Sequence, residues 1–186
     1  MEDVIKLAVK LHGHLAPGVA LGIRMSSIAL AKLGANRGSR KLVAISETHR
    51  CLADAMQAAT GCTLGHGNAF VHDYGKLAIT LGMADTKEGV RVALKKDAHA
   101  YSPLTKKWMM REGKLTHSEE EELGKLLLRL EEKYFDIKEV KLNINAKFDS
   151  SEIVLCSRCI DLVPKDSIVS GLCKRCAGKS YYTSSQ

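Results

Sequence analysis

Four cysteines near the C-terminus constrain this chain more than any other feature. They stand as Cys156-x2-Cys159 and Cys173-x2-Cys176, with thirteen residues between the pairs. Zn²⁺ takes four ligands tetrahedrally, and one CxxC turn offers two thiolates along an edge of the tetrahedron. Two such turns close the shell, so the spacing predicts one structural zinc held by all four sulfurs. Asp161 follows Cys159 by two residues and is the alternative ligand if that knuckle is irregular. The intervening segment is long enough to fold back as a hairpin about Ser170-Gly171, with Cys176 opening a last helix, as in a treble-clef or zinc-ribbon finger. A tail this small is not expected to fold on core burial alone, so its stability is expected to come from the metal.

The remaining sequence has the composition of an ordinary folded domain. Hydrophobic residues make up 45% of the 186 and charged residues 26%, enough for a buried core and against wholesale disorder. No apolar run approaches the roughly 20 residues of a membrane helix. The opening Met1-Glu2-Asp3 carries no basic stretch ahead of an apolar one. The reading is a cytoplasmic protein with no membrane partner, where paired CxxC motifs mark a metal before disulfides. The net charge of +7 is diffuse, +5 over residues 1–150 and +2 over 151–186. Four thiolates with one zinc would bring that tail to neutrality. Without a Lys/Arg block, basicity argues little for nucleic acid, although Arg158, Lys174 and Arg175 flank the knuckles.

Apolar spacing predicts helices over residues 2–12, from Pro17 to about Gly34, and from Cys51 to Thr60 with Gly61 as the stop. The small residues Gly18, Ala20, Gly22, Ser26 and Ala29 imply that the second helix packs closely on another backbone. Lys41–Ser46 reads as a buried strand, and Ala69–His72, Lys76–Leu81, Val90–Leu94 and Val140–Ile144 as further strands. Asp73-Tyr74-Gly75 reads as a tight turn pairing two of these antiparallel. Ser118-Glu119-Glu120-Glu121 reads as a capping box for a charged helix to about Tyr134. The mixture lacks a regular βαβ rhythm, which makes residues 1–150 an α+β domain with a mixed sheet. Lys147-Phe148-Asp149-Ser150-Ser151 is the expected boundary with the four-cysteine finger of residues 151–186.

A second chemical feature lies in that domain. His12 and His14 flank Gly13, which permits a bend that brings alternate side chains to one side. Cys51 stands at a strand-to-helix junction beside Arg50, where the helix N-terminus and the cation both favour thiolate. Cys62 ends the same helix, too far from Cys51 for a disulfide, and reads as structural. His66 sits in a glycine-punctuated loop from which it could approach a ligand. Asp73 has a turn role beside His72, and His99 and His117 read as solvated.

Three motifs in this order, His12-Gly13-His14-Leu15-Ala16-Pro17-Gly18, Cys51-Leu52-Ala53-Asp54-Ala55 and Thr60-Gly61-Cys62-Thr63-Leu64-Gly65, resemble the FmdE family of formylmethanofuran dehydrogenase components. The resemblance covers roughly residues 5–145, and Asp73-Tyr74-Gly75-Lys76 fits it as well. It implies a thioredoxin-like mixed sheet flanked by helices, and a zinc active site drawing on His12, His14 and Cys51. Many members carry a C-terminal zinc finger. The family name comes from molybdenum or tungsten formylmethanofuran dehydrogenases, so an oxidoreductase of that type is the implied partner. The chain departs from the pattern at Ala16, where the family's usual cysteine precedes Pro-Gly. Cys51 then lacks a second thiol, which speaks against disulfide exchange. The leading expectation is a homodimeric metal-binding protein with one zinc in the core and one in the finger. An accessory component of the oxidoreductase and a nucleic-acid-binding regulator acting through the finger are its rivals.

Overall fold

Successive apolar residues from Leu42 to Ile45 suit a strand covered on both faces. In the computed structural model this run is β1 (Leu42–Ser46), buried along its whole length. The described residues are 1–144 and 152–183. They belong to two compact units, Met1–Ala146 and Lys147–Gln186, and the boundary expected at Lys147–Ser151 lies outside the described residues.

In the first unit, β1 leads through α3 (Cys51–Thr60) to β2 (Ala69–Val71), which pairs with β1 in parallel. Strands β3 (Ala78–Met83), β4 (Glu88–Leu94) and β5 (Phe135–Lys141) then add antiparallel on the other side, giving the order β2-β1-β3-β4-β5. One βαβ unit followed by an antiparallel pair is the thioredoxin-like plan, here with a fifth strand. The turn at Asp73-Tyr74-Gly75 does not pair β2 with β3. It crosses the carboxyl end of β1, where the N–H groups of Tyr74 and Lys76 both donate to the Glu47 carbonyl at 3.0 and 3.2 Å. Strand β1 is seated between the two, so the short link spans it.

The helices α1 (Glu2–His12), α2 (Pro17–Leu33), α4 (Pro103–Met109) and α5 (His117–Leu128) complete the unit. Leu21, Met25 and Ile28 of α2, Leu52 and Met56 of α3, and Leu123 and Leu127 of α5 share one cluster with Leu42 and Ala44 of β1. The close packing expected of α2 is made with α3. A Cβ on Gly22 would come 2.6 Å from the Cβ of Ala55 and 3.2 Å from the Leu52 Cα, so the two helix backbones meet along a glycine seam. On the opposite sheet face Val43 and Ile45 pack with Leu142, and Leu142 lies directly over the cross-strand pair Gly82 and Gly89.

The capping box of α5 begins earlier than the charge pattern suggests. Thr116 accepts the Glu119 N–H at 3.2 Å, while its own N–H donates to the Glu119 carboxylate at 2.7 Å. The helix ends at Leu128, short of Tyr134, because Leu130 and Phe135 are drawn into the core. Pairing of Phe135 with Leu94 and Ile137 with Val92 starts β5 there, ahead of the expected strand at Val140.

The second unit is two small hairpins, β6 (Ile153–Leu155) with β7 (Leu162–Pro164), and β8 (Ile168–Val169) with β9 (Leu172–Cys173). Ser170 and Gly171 have φ of 52° and 78°, the left-handed pair of a tight hairpin turn. Among the described residues no helix follows Cys176. Gly178, at φ 94°, breaks the described chain into turns there, and the four-cysteine cluster fits a zinc finger.

Candidate functional site

The carboxyl end of β1 opens on a cleft of about 640 Å³. Sheet topology places it there, because α3 leaves β1 on one side and the 73–76 crossover closes the other. Thr48 to Leu52 line it from the β1–α3 junction, Asp73, Gly75 and Leu77 from the crossover, and His12, His14 and Ala16 to Gly18 from the α1–α2 link. Trp108, Met109 and Arg111 come from the end of α4, and Glu120 from α5.

All three core candidates, His12, His14 and Cys51, line this one cleft. Gly13 has φ 100°, and the bend leaves the His12 and His14 rings 5.4 Å apart, centroid to centroid. Nδ1 of His12 lies 2.7 Å from an Asp54 carboxylate oxygen. A carboxylate only accepts, so that nitrogen donates, and in the neutral ring Nε2 is the remaining acceptor. Cys51 is held by close approach, since a Cβ on Gly18 would lie 2.8 Å from its Cβ and 3.2 Å from its Sγ. Ala16, in the position of the family's usual cysteine, is buried at the same wall.

The thiolate character expected of Cys51 is opposed by its surroundings. Burial pushes its thiol above the ordinary range. Its own backbone N–H and Arg50 pull the other way, while Asp54 and Glu120 add to the rise. Desolvation of a half-buried sulfur exceeds what one helix turn and an exposed arginine return.

At the β1 end, Glu47 is buried and holds Arg91 through two hydrogen bonds of 2.6 and 2.8 Å. The Arg91 hydrogen bond holds its carboxyl below the usual range, with help from the charges of Arg91 and Lys76 against the cost of burial. His49 and Asp73, both exposed, pair through Nδ1 across the mouth of the cleft. Sequence reasoning misses Asp54, Glu120, Trp108 and Arg111. The Cys51-x-x-Asp54 spacing, which puts both on one helical face, is a usable signal for the first. Nothing local marks the others, which arrive through tertiary packing.

The remaining histidines stay out of the cleft. His66 is exposed in its loop, the His72 ring faces Tyr74, His99 bonds the Lys96 carbonyl at 2.6 Å, and His117 pairs with Glu121 at 3.3 Å. Cys62 is buried, its Sγ 3.4 Å from the Leu42 carbonyl.

The finger cysteines are arranged differently. One sulfur from each of Cys156, Cys159, Cys173 and Cys176 lies within 4.8 Å of every other, the one such cluster of potential ligands among the described residues. The Cys159 and Cys173 sulfurs are 3.9 Å apart, close to the roughly 3.8 Å edge of a tetrahedron with Zn–S bonds of about 2.3 Å. The residues therefore fit a metal. Backbone N–H groups of Cys159, Cys173 and Arg158 pull the Cys156 thiol down to about 6. Against the pull of the Asp161 N–H, the Asp161 carboxylate and burial push Cys159 up to about 12, and burial raises Cys176. Asp161 stays outside the sulfur cluster, and its carbonyl accepts the Cys156 N–H at 3.0 Å. Arg158 donates to the Cys176 carbonyl at 2.8 Å and Arg175 lies over Tyr182, so two of the three flanking cations are engaged within the finger.

A curated protein of Archaeoglobus fulgidus, described as a probable S-adenosyl-L-methionine-binding protein, is 34% identical over 192 residues, covering 94% of this chain and 52% of its own. The chain thus spans about half the length of that relative. A solved structure from Syntrophus aciditrophicus, described as a tungsten formylmethanofuran dehydrogenase FmdE-like protein, superposes with a TM-score of 0.78 at 31% identity. That match covers 98% of this chain and 94% of the other. Residues 11–143 match the model of the family described as "FmdE, Molybdenum formylmethanofuran dehydrogenase operon", and the chain belongs to that FmdE family.

Proposed function

We propose that the chain is an FmdE-type metal-binding protein with two zinc sites of unlike purpose. In the finger, Cys156, Cys159, Cys173 and Cys176 hold a structural zinc with no open position. In the core, His12, His14 and Cys51 hold a second zinc in the cleft. The observation that carries the core reading is the 2.7 Å bond from His12 to Asp54. Metal-ligating histidines characteristically donate their other N–H to a carboxylate, which fixes the ring and raises its basicity. Three protein ligands and an open fourth position would let the ion act as a Lewis acid or activate a water. The chain's own residues shape what reaches it: Gly18 sets the depth of Cys51, and His49 with Asp73 stands at the mouth.

Six free thiols suit a reducing compartment, and the reading places the protein in the cytoplasm. Among the described residues no helix is long and apolar enough to cross a membrane. A homodimer belongs to the same reading. The small residues of α2 are used within the chain and do not argue for it, but the β6–β7 hairpin leaves Ile153, Leu155 and Leu162 55–72% exposed. Light scattering is expected to give twice the chain mass, and a monomer at all concentrations would remove the dimer.

Zinc analysis of the full chain tests the core site. Two zinc ions per chain are expected, falling to one in Cys51→Ala and His14→Ala. One ion in all three proteins would reject the core metal. A second reading, an accessory component of a molybdenum or tungsten oxidoreductase, is favoured by the descriptions of the family and of the Syntrophus protein. Co-purification with such an enzyme is its test.

A further inference from the structure

Two arginines face the core cleft, and each occupies a backbone position that local rules would give to another residue type. Arg50 is the N-cap of α3, where Ser, Thr, Asp or Asn would supply a side-chain acceptor, and it makes no capping bond. Arg111 has φ 56°, just past α4, in the left-handed region that favours glycine. Both are exposed, both line the 640 Å³ cleft, and neither forms an ion pair among the described residues. Local rules give way at functional sites, where a side chain is kept for what it binds.

We propose that Arg50 and Arg111 form an oxyanion-recognition pair that takes the carboxylate or phosphate group of a small substrate. The guanidinium fork matches either group with paired, charge-assisted hydrogen bonds. Trp108 and Met109, half-buried in the same wall, offer a flat apolar surface for the body of that substrate. The proposal rests on reading the cleft as the place where the metal trio works. His12, His14 and Cys51 line the same space, so a molecule anchored by its anionic end presents its remainder to them.

The acids of the cleft offset part of this charge and leave Arg111 clear of them. Asp73 hydrogen-bonds His49 and also feels the Arg50 charge, so it offsets part of that arginine. Glu120 stands where the cleft adjoins a second hollow of about 270 Å³ that it shares with His14, His117 and Lys125, on the side of the candidate metal histidines. The cleft is thus cationic through its two arginines and acidic through Glu120, a polarity that would orient a substrate carrying one anionic end.

Trp108 is the one tryptophan of the chain, so its emission reports on this cleft. Full-length protein is titrated with phenyl phosphate, with benzoate and with neutral benzyl alcohol, and the zinc content of each sample is measured alongside. At least one anion is expected to change Trp108 emission saturably, with Kd on the order of 1 mM and weakening with added salt. The preferred anion identifies the oxyanion. The alcohol is expected to bind at least tenfold more weakly. Arg111→Gly suits the backbone at that position, so its Tm is expected to stay within about 2 °C of wild type, while anion affinity falls about tenfold or more. Arg50→Gln is expected to show a similar loss, and Arg40→Gln, a cation outside the cleft, none. No saturable response to either anion, equal binding of the alcohol, or wild-type affinity in Arg111→Gly and Arg50→Gln would overturn the pair. Two zinc ions without anion binding would reject the pair alone. Anion binding with a single zinc would reject the core metal and leave the pair standing.

Discussion

The finger gathers four sulfurs and the cleft is lined by two histidines and a cysteine, by opposite routes. In the finger the ligands are placed by local backbone: two CxxC turns, with the Cys173 N–H donating to the Cys156 sulfur at 3.3 Å. The hairpins around them bury almost nothing, and Leu155, Ile160 and Leu162 are all more than half exposed. In the cleft the order is reversed. A full core of Leu21, Met25, Ile79, Leu81 and Leu123 sets α2 and α3 against the sheet, and the candidate ligands ride at its edge. The finger should need its metal to fold, whereas the core should fold first and bind afterwards.

Removing metal from each site is the direct way to break that comparison, and the finger should show the larger effect. Cys159→Ser is expected to release one zinc and make residues beyond about 150 protease-sensitive, since structural zinc supplies roughly 10 kcal/mol or more to such units. The core melting transition should not move. A tail that stays protected without zinc would show that the finger has other means of support.

The next effect lies in the core, at the end of β1. Glu47→Gln leaves Arg91 without its charged partner and is expected to cost about 2–3 kcal/mol at neutral pH, discounted for the partial exposure of Arg91. The carboxyl is held below its ordinary 4.5 in the folded protein. Its contribution is therefore fully present above that value and lost as pH falls through the lowered folded value. Thermal melts of wild type and variant should differ most at neutral pH and converge as pH falls from the ordinary carboxyl value through the lowered folded one. A difference that stays constant throughout that acid range would mean the pair's charge is not what stabilises this end of the sheet.

Gly22→Ala should follow. The added methyl meets the Ala55 Cβ at 2.6 Å and the Leu52 backbone at 3.2 Å, so α2 and α3 must separate. The strain of overpacking, about 1–3 kcal/mol, is offset in part by the roughly 1 kcal/mol that alanine gains over glycine in a helix. A net loss of about 1–2 kcal/mol in denaturant unfolding is expected. Because Gly18 and Cys51 share the seam, core zinc should weaken in this variant while finger zinc stays bound. Unchanged core binding would uncouple the cleft from the seam.

The same contrast explains what can be read from sequence. The finger cluster is legible from spacing alone, because a CxxC turn places its sulfurs through backbone geometry carried by the residues themselves. The helix from Cys51 to Gly61 and the buried strand at Leu42 are legible for the same reason: caps and apolar runs are local. The crossover at Asp73 misleads because a turn signature records a chain reversal without saying which strand lies beneath it. The start of β5 is hidden by Lys138, Glu139 and Lys141, whose charges are tolerated on an outer strand but dilute its alternation. In the cleft, His12, His14 and Cys51 can be named from their motifs. The thiol's protonation and the placement of Asp54, Glu120 and Arg111 depend instead on burial and on neighbours distant in sequence.

The smallest expected effect is the most specific to the core. Asp54→Asn keeps the size of the side chain and its place on α3, three residues from Cys51. An amide oxygen can still accept from His12 Nδ1, so the ring keeps its orientation but loses the carboxylate's charge. Outer-shell changes of this kind cost about 10- to 100-fold in metal affinity, and retention of the hydrogen bond puts the expectation near tenfold. Asp54 is partly exposed and its loss opens no cavity, so the melting temperature should barely shift. Finger zinc, held by four sulfurs elsewhere in the chain, should be unaffected. Competition with a chromophoric chelator resolves the two ions by affinity in one sample. If Asp54→Asn holds its core zinc as tightly as wild type, His12 is not a ligand, and its bond to Asp54 serves only to tie the end of α1 to α3.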